Sequence, residues 1–410
     1  MNAMSSPSYW IKHVRLESGY MYENEAVVGT ETGLCHMRIA DGRIAEIVPA
    51  DEALSDDAPQ ADAGRLLALP AFVEKHCHLD KTLLGDRWRA PRPAASLFDI
   101  FETEKRTLDS VPTTTWERAE LLLDRMLRAG STHIRTHVDL YPEAGLNNLE
   151  AVQEALAAFE GKLTSEIVAF PQHGLLRSGS AGLVRDALRQ GASLVGGVDP
   201  ANVDGDIEAS LRQMMELAVE ADADVDLHLH DPGHLGLFTI QRLARLTEEA
   251  GWQGRVAVSH AFCLGDISQE EAGDVADMLA ALRISVITSV PVGRSMPPVN
   301  LLHAKGLRVA AGCDNIFDSW SPFGSGDLLE RAGRLAERFG RRSEKQLAET
   351  LGFITDGKTP LREGRRVWPS VGDEANIVFV DAGCTAEAVA RRASRQAVMH
   401  RGKLVAGGWN

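Results

Sequence analysis

The residues able to do chemistry fall into four clusters. "HCHLDK" sets His76 and His78 one residue apart, with Asp80 and Lys81 just beyond. "DLHLHD" repeats the spacing with His228 and His230, His260 follows in "AVSHAF", and Asp314 comes late in "AAGCDN". Residues two apart on an extended strand share a face, so both imidazoles of a pair can face one ion. Imidazole and carboxylate together suit Zn²⁺ and Fe²⁺, and a ligand set that keeps one position for water is the catalytic kind. Each piece alone is weak: an HxH occurs by chance, and a lone strand histidine such as His260 is as readily a hydrogen-bonded core residue. The clusters come in order, each at the end of an apolar run and closed by a late aspartate. Together they point to a metal centre.

Such side chains need strands to aim them. The apolar runs ending in "FVEKHCHLD", "STHIRTHVDL", "SEIVAFPQ", "ASLVGGVDP", "ADVDLHLHD", "GRVAVSHAF", "RISVITSV" and "LRVAAGCDN" alternate with helical stretches such as "TWERAELLLDRMLRAG" and "IEASLRQMMELAVEADA". Strands alternating with helices imply a parallel sheet. Eight of them over about 250 residues fit an α/β architecture, the (β/α)8 barrel, whose chemistry lies at the C-terminal ends of the strands. The barrel is expected over residues 69–364. The ends of the chain read differently, as short strands with hairpin turns ("ADGRI", "HRGKL"), so residues 1–68 and 365–410 are expected to form one small β-domain together.

Composition narrows the function classes. The 410 residues are 44% hydrophobic and 25% charged, as in an ordinary globular protein. Forty-three basic against 58 acidic residues give a net charge of −15, which disfavours nucleic-acid and membrane-surface roles. The five cysteines are scattered with no CxxC pair, so neither a disulfide framework nor a thiolate zinc cluster is expected. No apolar run is long enough to span a membrane, and the N-terminus lacks a signal-peptide core. A cytoplasmic location is the simplest expectation.

The stretches "HCHLDKT", "RTHVD", "IVAFPQHG", "LVGGVDPA", "DLHLHDPGHLGLFTIQRLA", "VSHAFC" and "CDNIFDSWSPFGSGD" resemble the amidohydrolase superfamily. The resemblance is to its cytosine deaminase-like branch, and within that to the N-isopropylammelide isopropylaminohydrolase group, over nearly the whole chain. It implies a distorted TIM barrel with a small β-sandwich from both termini. It also implies one divalent metal and hydrolytic release of an amine or ammonia from a nitrogen heterocycle. On this resemblance the metal ligands are His76, His78, His228 and Asp314, and His260 polarises the developing oxyanion or holds the water. Gln172 meets the ring edge, and Lys81, Asn315 and Trp320 contact substrate. No lysine stands in "LVGGVDPA" to bridge two metals, so one ion, Zn²⁺ or Fe²⁺, is expected.

The chain departs from the cytosine deaminase pattern at one place. A proton-shuttling glutamate is replaced by Asp231, one methylene shorter, and His230 is the better candidate shuttle, since an imidazole near neutrality can accept and return a proton. His137 and Asp139 either line the pocket or serve structure, His133 is core, and His173 and His234 are pocket-wall candidates. Cys313 is a small buried residue. "VPVGRSMPPVN" is a loop on the active-site side, and the charges of "TEKRTLDSVPTTTWERAELLLDR" are read as a solvated helix face. Two alternatives stay open: a hydrolase that opens a cyclic amide, and a metal-binding scaffold without catalysis. The expected partner is a small-molecule heterocyclic substrate, and assembly into a homo-oligomer is compatible with the fold.

Overall fold

The computed structural model describes residues 8–409; the extreme N-terminus, read above for a signal peptide, and Asn410 lie outside the described residues. Eight parallel strands carry the chemistry-bearing segments: β1 (Phe72–Cys77), β2 (Ser131–Asp139), β3 (Thr164–Phe170), β4 (Leu194–Val198), β5 (Asp224–Leu229), β6 (Val256–His260), β7 (Ser285–Thr288) and β8 (Val309–Ala311). They pair in sequence order, and helices occupy most of the connections. β4 and β6 are buried at every position, the pattern of a parallel sheet covered on both faces.

The barrel closes through side chains and close approach rather than a regular ladder. Between β1 and the end of β8 there is an isolated bridge of Cys77 with Asp314, and the Asp314 N–H donates to the His76 carbonyl at 2.7 Å. The fully buried Glu74 carboxylate accepts from the His76 N–H at 2.8 Å and from the Cys313 N–H at 3.0 Å. Gly312 makes the approach feasible. A Cβ there would lie 2.6 Å from His76 Cβ and 2.8 Å from the His76 carbonyl oxygen.

Helices follow their capping signals. Thr114 and Glu117 form a reciprocal capping box at the start of the helix Thr115–Arg128, which buries Ala119, Leu122, Leu123, Met126 and Leu127 at helical spacing against the barrel. The charged stretch read as one solvated helix is corrected on two counts. It is two helices, α1 (Leu97–Asp109) and α2 (Thr115–Arg128), separated at Ser110–Thr114, where Pro112 lacks an N–H and disfavours helix in the residue before it. Two of its charges are also buried: Glu104 and Arg118 are each 2% exposed. Arg118 donates to the Thr82 carbonyl at 2.8 Å, fixing the segment that follows β1.

Ten further strands from the two ends of the chain share one hydrogen-bonded network. Leu67–Pro70 pairs antiparallel with Ile377–Val380, joining the ends. The "ADGRI" turn is a two-residue hairpin: Ala40 pairs with Arg43, and Asp41 and Gly42 take φ of 49° and 75°, the type I′ geometry that Asp-Gly supports. This sheet has its own apolar cluster, including Ile11, Met37, Ile44, Phe379 and Met399, apart from the large barrel core. Among the described residues no helix is long and apolar enough to cross a membrane.

Candidate active site

Four strand ends converge on one buried cluster. His76 lies within β1 and His78 just past it, while β5 carries His228, β6 ends on His260, and Asp314 follows β8. Asp314 Oδ1 lies 3.4 Å from His76 Nε2 and 3.5 Å from His78 Nε2, and the His76 and His228 rings are 4.5 Å apart. Burial is the main reason that the imidazoles of His78, His228 and His260 are held well below their ordinary range, which favours the neutral ring with one lone-pair nitrogen each. His76 Nε2 and both nitrogens of His228 and His260 are buried with no hydrogen-bond partner. Each such group ordinarily costs about 1–3 kcal/mol, and a soft-to-borderline divalent cation among imidazoles and a carboxylate would satisfy several at once. The donor set fits such an ion.

His137, whose role the sequence left open, belongs to the same cluster. Its ring is fully buried 4.2 Å from His76 and 4.5 Å from His228. Behind these rings runs a polar relay of Ser259, Asp226, Arg135 and Glu166, whose partners lie too far apart in sequence for local spacing to reveal. His76 Nδ1 lies 2.8 Å from Ser259 Oγ, which donates to Asp226 Oδ1 at 2.6 Å. Asp226 Oδ2 accepts from Arg135 at 2.9 Å, and Arg135 also donates to Glu166 at 2.7 Å. Burial pushes Asp226 up, but His137 and Arg135 outweigh it and hold the carboxyl below its ordinary range. A hydrogen bond at one imidazole nitrogen orients the other, so Ser259 leaves His76 Nε2 facing Asp314. His133, expected in the core, is only half-buried and sits at the far end of this network, 3.5 Å from Glu166.

His230 follows the last residue of β5. Asp199, just past β4, grips it twice: Oδ1 accepts from the His230 N–H at 2.5 Å and Oδ2 lies 2.9 Å from Nδ1. Burial works to lower the His230 pKa, but the Asp199 carboxylate overcomes it and the net direction is upward. The ring stands 4.4 Å from His260 and 6.0 Å from His228. Asp231 turns the other way: its Oδ2 accepts from the Ala201 N–H at 3.2 Å, and it is fully buried. Asp199 went unnoticed in the sequence, although the polar end of "LVGGVDPA" marked it.

A second polar group adjoins the cluster. The Lys81 ammonium is enclosed, 1% exposed, 2.8 Å from Asp139 and donating to Gln172 Oε1. Burial opposes its charge, but Asp139, Glu104 and Asp80 raise its pKa further, so it stays protonated. Gln172 Nε2 donates to Glu104 Oε1 at 2.7 Å, and Trp320 Nε1 donates to Glu104 Oε2 at 2.5 Å. Asn315 is half-buried and donates to Asp314 Oδ1 at 3.1 Å. His173 stacks on Tyr141 at 4.5 Å and packs against Phe101 at 4.7 Å, a wall position. His234 is corrected: its side chain is 75% exposed and pairs with Glu271 at 2.9 Å, away from the cluster. Cys313 is buried, as read.

An eight-stranded parallel barrel with imidazoles and a carboxylate gathered at the carboxyl ends of its strands places the protein among the TIM barrels with a donor set suited to a metal. More narrowly, the chain belongs to the amidohydrolase family, which its residues 61–406 match. It is 40% identical over 410 residues to "Uncharacterized protein YahJ" of Escherichia coli (strain K12), covering 98% of this chain and 89% of that protein. The crystal structure of N-isopropylammelide isopropylaminohydrolase from Burkholderia multivorans aligns with a TM-score of 0.86 at 32% identity, covering 98% of this chain and 99% of that one. That of 5-methylcytosine deaminase from Klebsiella pneumoniae with 5-fluorocytosine aligns with a TM-score of 0.77 at 26% identity, covering 97% of each.

Proposed function

We propose that this amidohydrolase releases ammonia or an amine from a carbon of a nitrogen heterocycle, as its similarity to an aminohydrolase and a deaminase suggests. The observation that carries the reading is the His230–Asp199 pair at 2.9 Å, beside His260 at 4.4 Å and next to the imidazole cluster. It supplies a proton carrier where a leaving nitrogen would need one.

In this reading His76, His78, His228 and Asp314 would hold one divalent ion, Zn²⁺ or Fe²⁺. Such an ion would supply Lewis acidity, enough to lower the pKa of a water from about 16 towards about 7. Lys81 and Gln172 hold the ring edge, with Asn315 and Trp320 at its sides. Asp314 accepts the proton of the attacking water. His230 delivers a proton to the ring nitrogen or the departing amine, and Asp199 keeps Nδ1 engaged so that Nε2 does the transfer. His260, with Lys81, offsets negative charge growing on oxygen as the carbon becomes tetrahedral. Collapse breaks the carbon–nitrogen bond and leaves a ring carbonyl.

The test is turnover by the metal-loaded protein on aminated pyrimidines, pterins and s-triazines, following ammonia or amine alongside ring-opened acid. Amine release without ring opening is expected, and His230→Ala should remove it by orders of magnitude while metal content holds. Ring-opened acid as the product would overturn the reading in favour of a cyclic amide hydrolase. Absence of turnover throughout would favour a scaffold.

A further inference from the structure

α1 is an excursion between β1 and α2, entered through the Pro- and Ala-rich residues 89–95 and left at Pro112. Of its thirteen residues only Phe101 and Glu104 are buried. Both are buried against residues assigned above to the substrate pocket: Phe101 packs on His173 and Trp320, and Glu104 reaches Gln172, Trp320 and Lys81. The helix is further tied to the barrel mouth by Arg177 over the Phe98 ring at 3.8 Å and by Lys105 with Glu143 at 3.3 Å.

The consequence lies in the Gln172 side chain. An amide has two nearly isosteric orientations that exchange its donor and acceptor ends. Here Lys81, a donor only, faces Oε1, and the Glu104 carboxylate, an acceptor, faces Nε2. Turning the amide over would set N–H against ammonium and carbonyl against carboxylate, so one orientation is enforced. The other Glu104 oxygen takes the Trp320 indole N–H, so one carboxylate fixes two pocket groups.

We propose that Glu104 is a specificity-determining positioning residue: brought in by α1, it locks the Gln172 amide and thereby sets the donor and acceptor order that a ring edge must present. The inference rests on the aminohydrolase reading above. Glutamine at 104 would offer one acceptor to two donors. A Glu104→Gln side chain that keeps the Trp320 indole paired would turn its NH₂ towards Gln172, leaving Lys81 alone to hold that amide.

The experiment compares wild type, Glu104→Gln and Glu104→Asp on two rings whose edge donor and acceptor are exchanged, cytosine and isocytosine, with metal content and melting temperature as controls. Glu104→Gln is expected to raise KM for the preferred ring by about tenfold or more with a smaller change in kcat, and to collapse or invert the preference between the two rings. Glu104→Asp, still an acceptor, keeps the sign of the preference. Equal losses on both rings, or no change, would overturn the proposal and leave Glu104 a structural residue. Failure of the wild type to release amine from any heterocycle would instead refute the functional reading, and hydrogen exchange then decides on positioning without a substrate. Faster exchange across residues 98–109 in Glu104→Gln, with the barrel strands unchanged, supports the seat, and unchanged exchange overturns it.

Discussion

Asp199→Asn separates the two jobs that Asp199 performs. Its Oδ1 accepts the His230 backbone N–H at 2.5 Å, and its Oδ2 lies 2.9 Å from His230 Nδ1. The backbone N–H can only donate, so an asparagine keeps its carbonyl oxygen there and turns its NH₂ towards the ring. The imidazole must then accept at Nδ1, and the doubly protonated form, with hydrogens on both nitrogens, has no place. The one remaining hydrogen then sits on Nε2 of a neutral ring, far too weak an acid to hand it over, while the backbone stays anchored. General acid–base catalysis contributes about 10²–10⁴-fold, so kcat should fall by that factor, equivalent to about 2.7–5.4 kcal/mol on the barrier. Steady-state amine release, normalised to metal content measured by elemental analysis, reads this directly. In a His230→Ala background the same substitution should cost almost nothing more, because the carboxylate acts through the ring. Activity within about threefold of wild type in a fully metal-loaded Asp199→Asn protein would refute the reasoning, since it would put the proton through another group.

Other perturbations probe the site and its support. Gly312→Ala places a Cβ 2.6 Å from His76 Cβ across the barrel seam; overpacking of this kind costs about 1–3 kcal/mol, so denaturant midpoints should drop and metal affinity weaken together. Chelation should abolish turnover and lower the melting temperature, and titration of the apoprotein with Zn²⁺ or Fe²⁺ should restore both at one ion per chain; saturation at two would contradict the ligand set. Burial works to raise the Glu166 pKa, but His133, Arg135 and Lys75 hold it well below the ordinary carboxylate range. A carboxyl with a depressed folded pKa contributes stability that is whole above its unfolded value of about 4.3 and is lost as pH falls through the folded one. Glu166→Gln should therefore flatten the fall of melting temperature below about pH 5, and a fall as steep as in wild type would exclude this network as its source.

What the sequence revealed depended on range. A strand end such as "HCHLD" carries its meaning locally, because alternation puts His76 and His78 on one face, and the order of eight such ends sufficed for the barrel. The "ADGRI" hairpin was equally local, since Asp-Gly supplies both positive φ values by itself. Pairings across the fold were not legible. Asp199 meets His230 over 31 residues, Ser259 meets His76 over 183, and Glu104 meets Trp320 over 216. Nothing in the local pattern distinguishes a carboxylate that turns inward from one that is solvated. Glu104 sits among Glu102, Lys105 and Arg106, and only packing shows that it alone of the four is buried.

These long-range contacts also explain why the cluster lies where it does. The site straddles the seam between β1 and β8, the one place where the barrel lacks a continuous ladder. Asp314 stands there with φ of 59°, its N–H held by the His76 carbonyl and its carboxylate facing His76 and His78. The contacts that close the barrel therefore also bring the last expected ligand to the first two. Glu74, with both partners on the two sides of this seam and no solvent access, ties the two events together. A barrel open at this point would keep His76 and His78 at the end of β1 but not the carboxylate opposite them, so the cluster is complete only in the closed barrel.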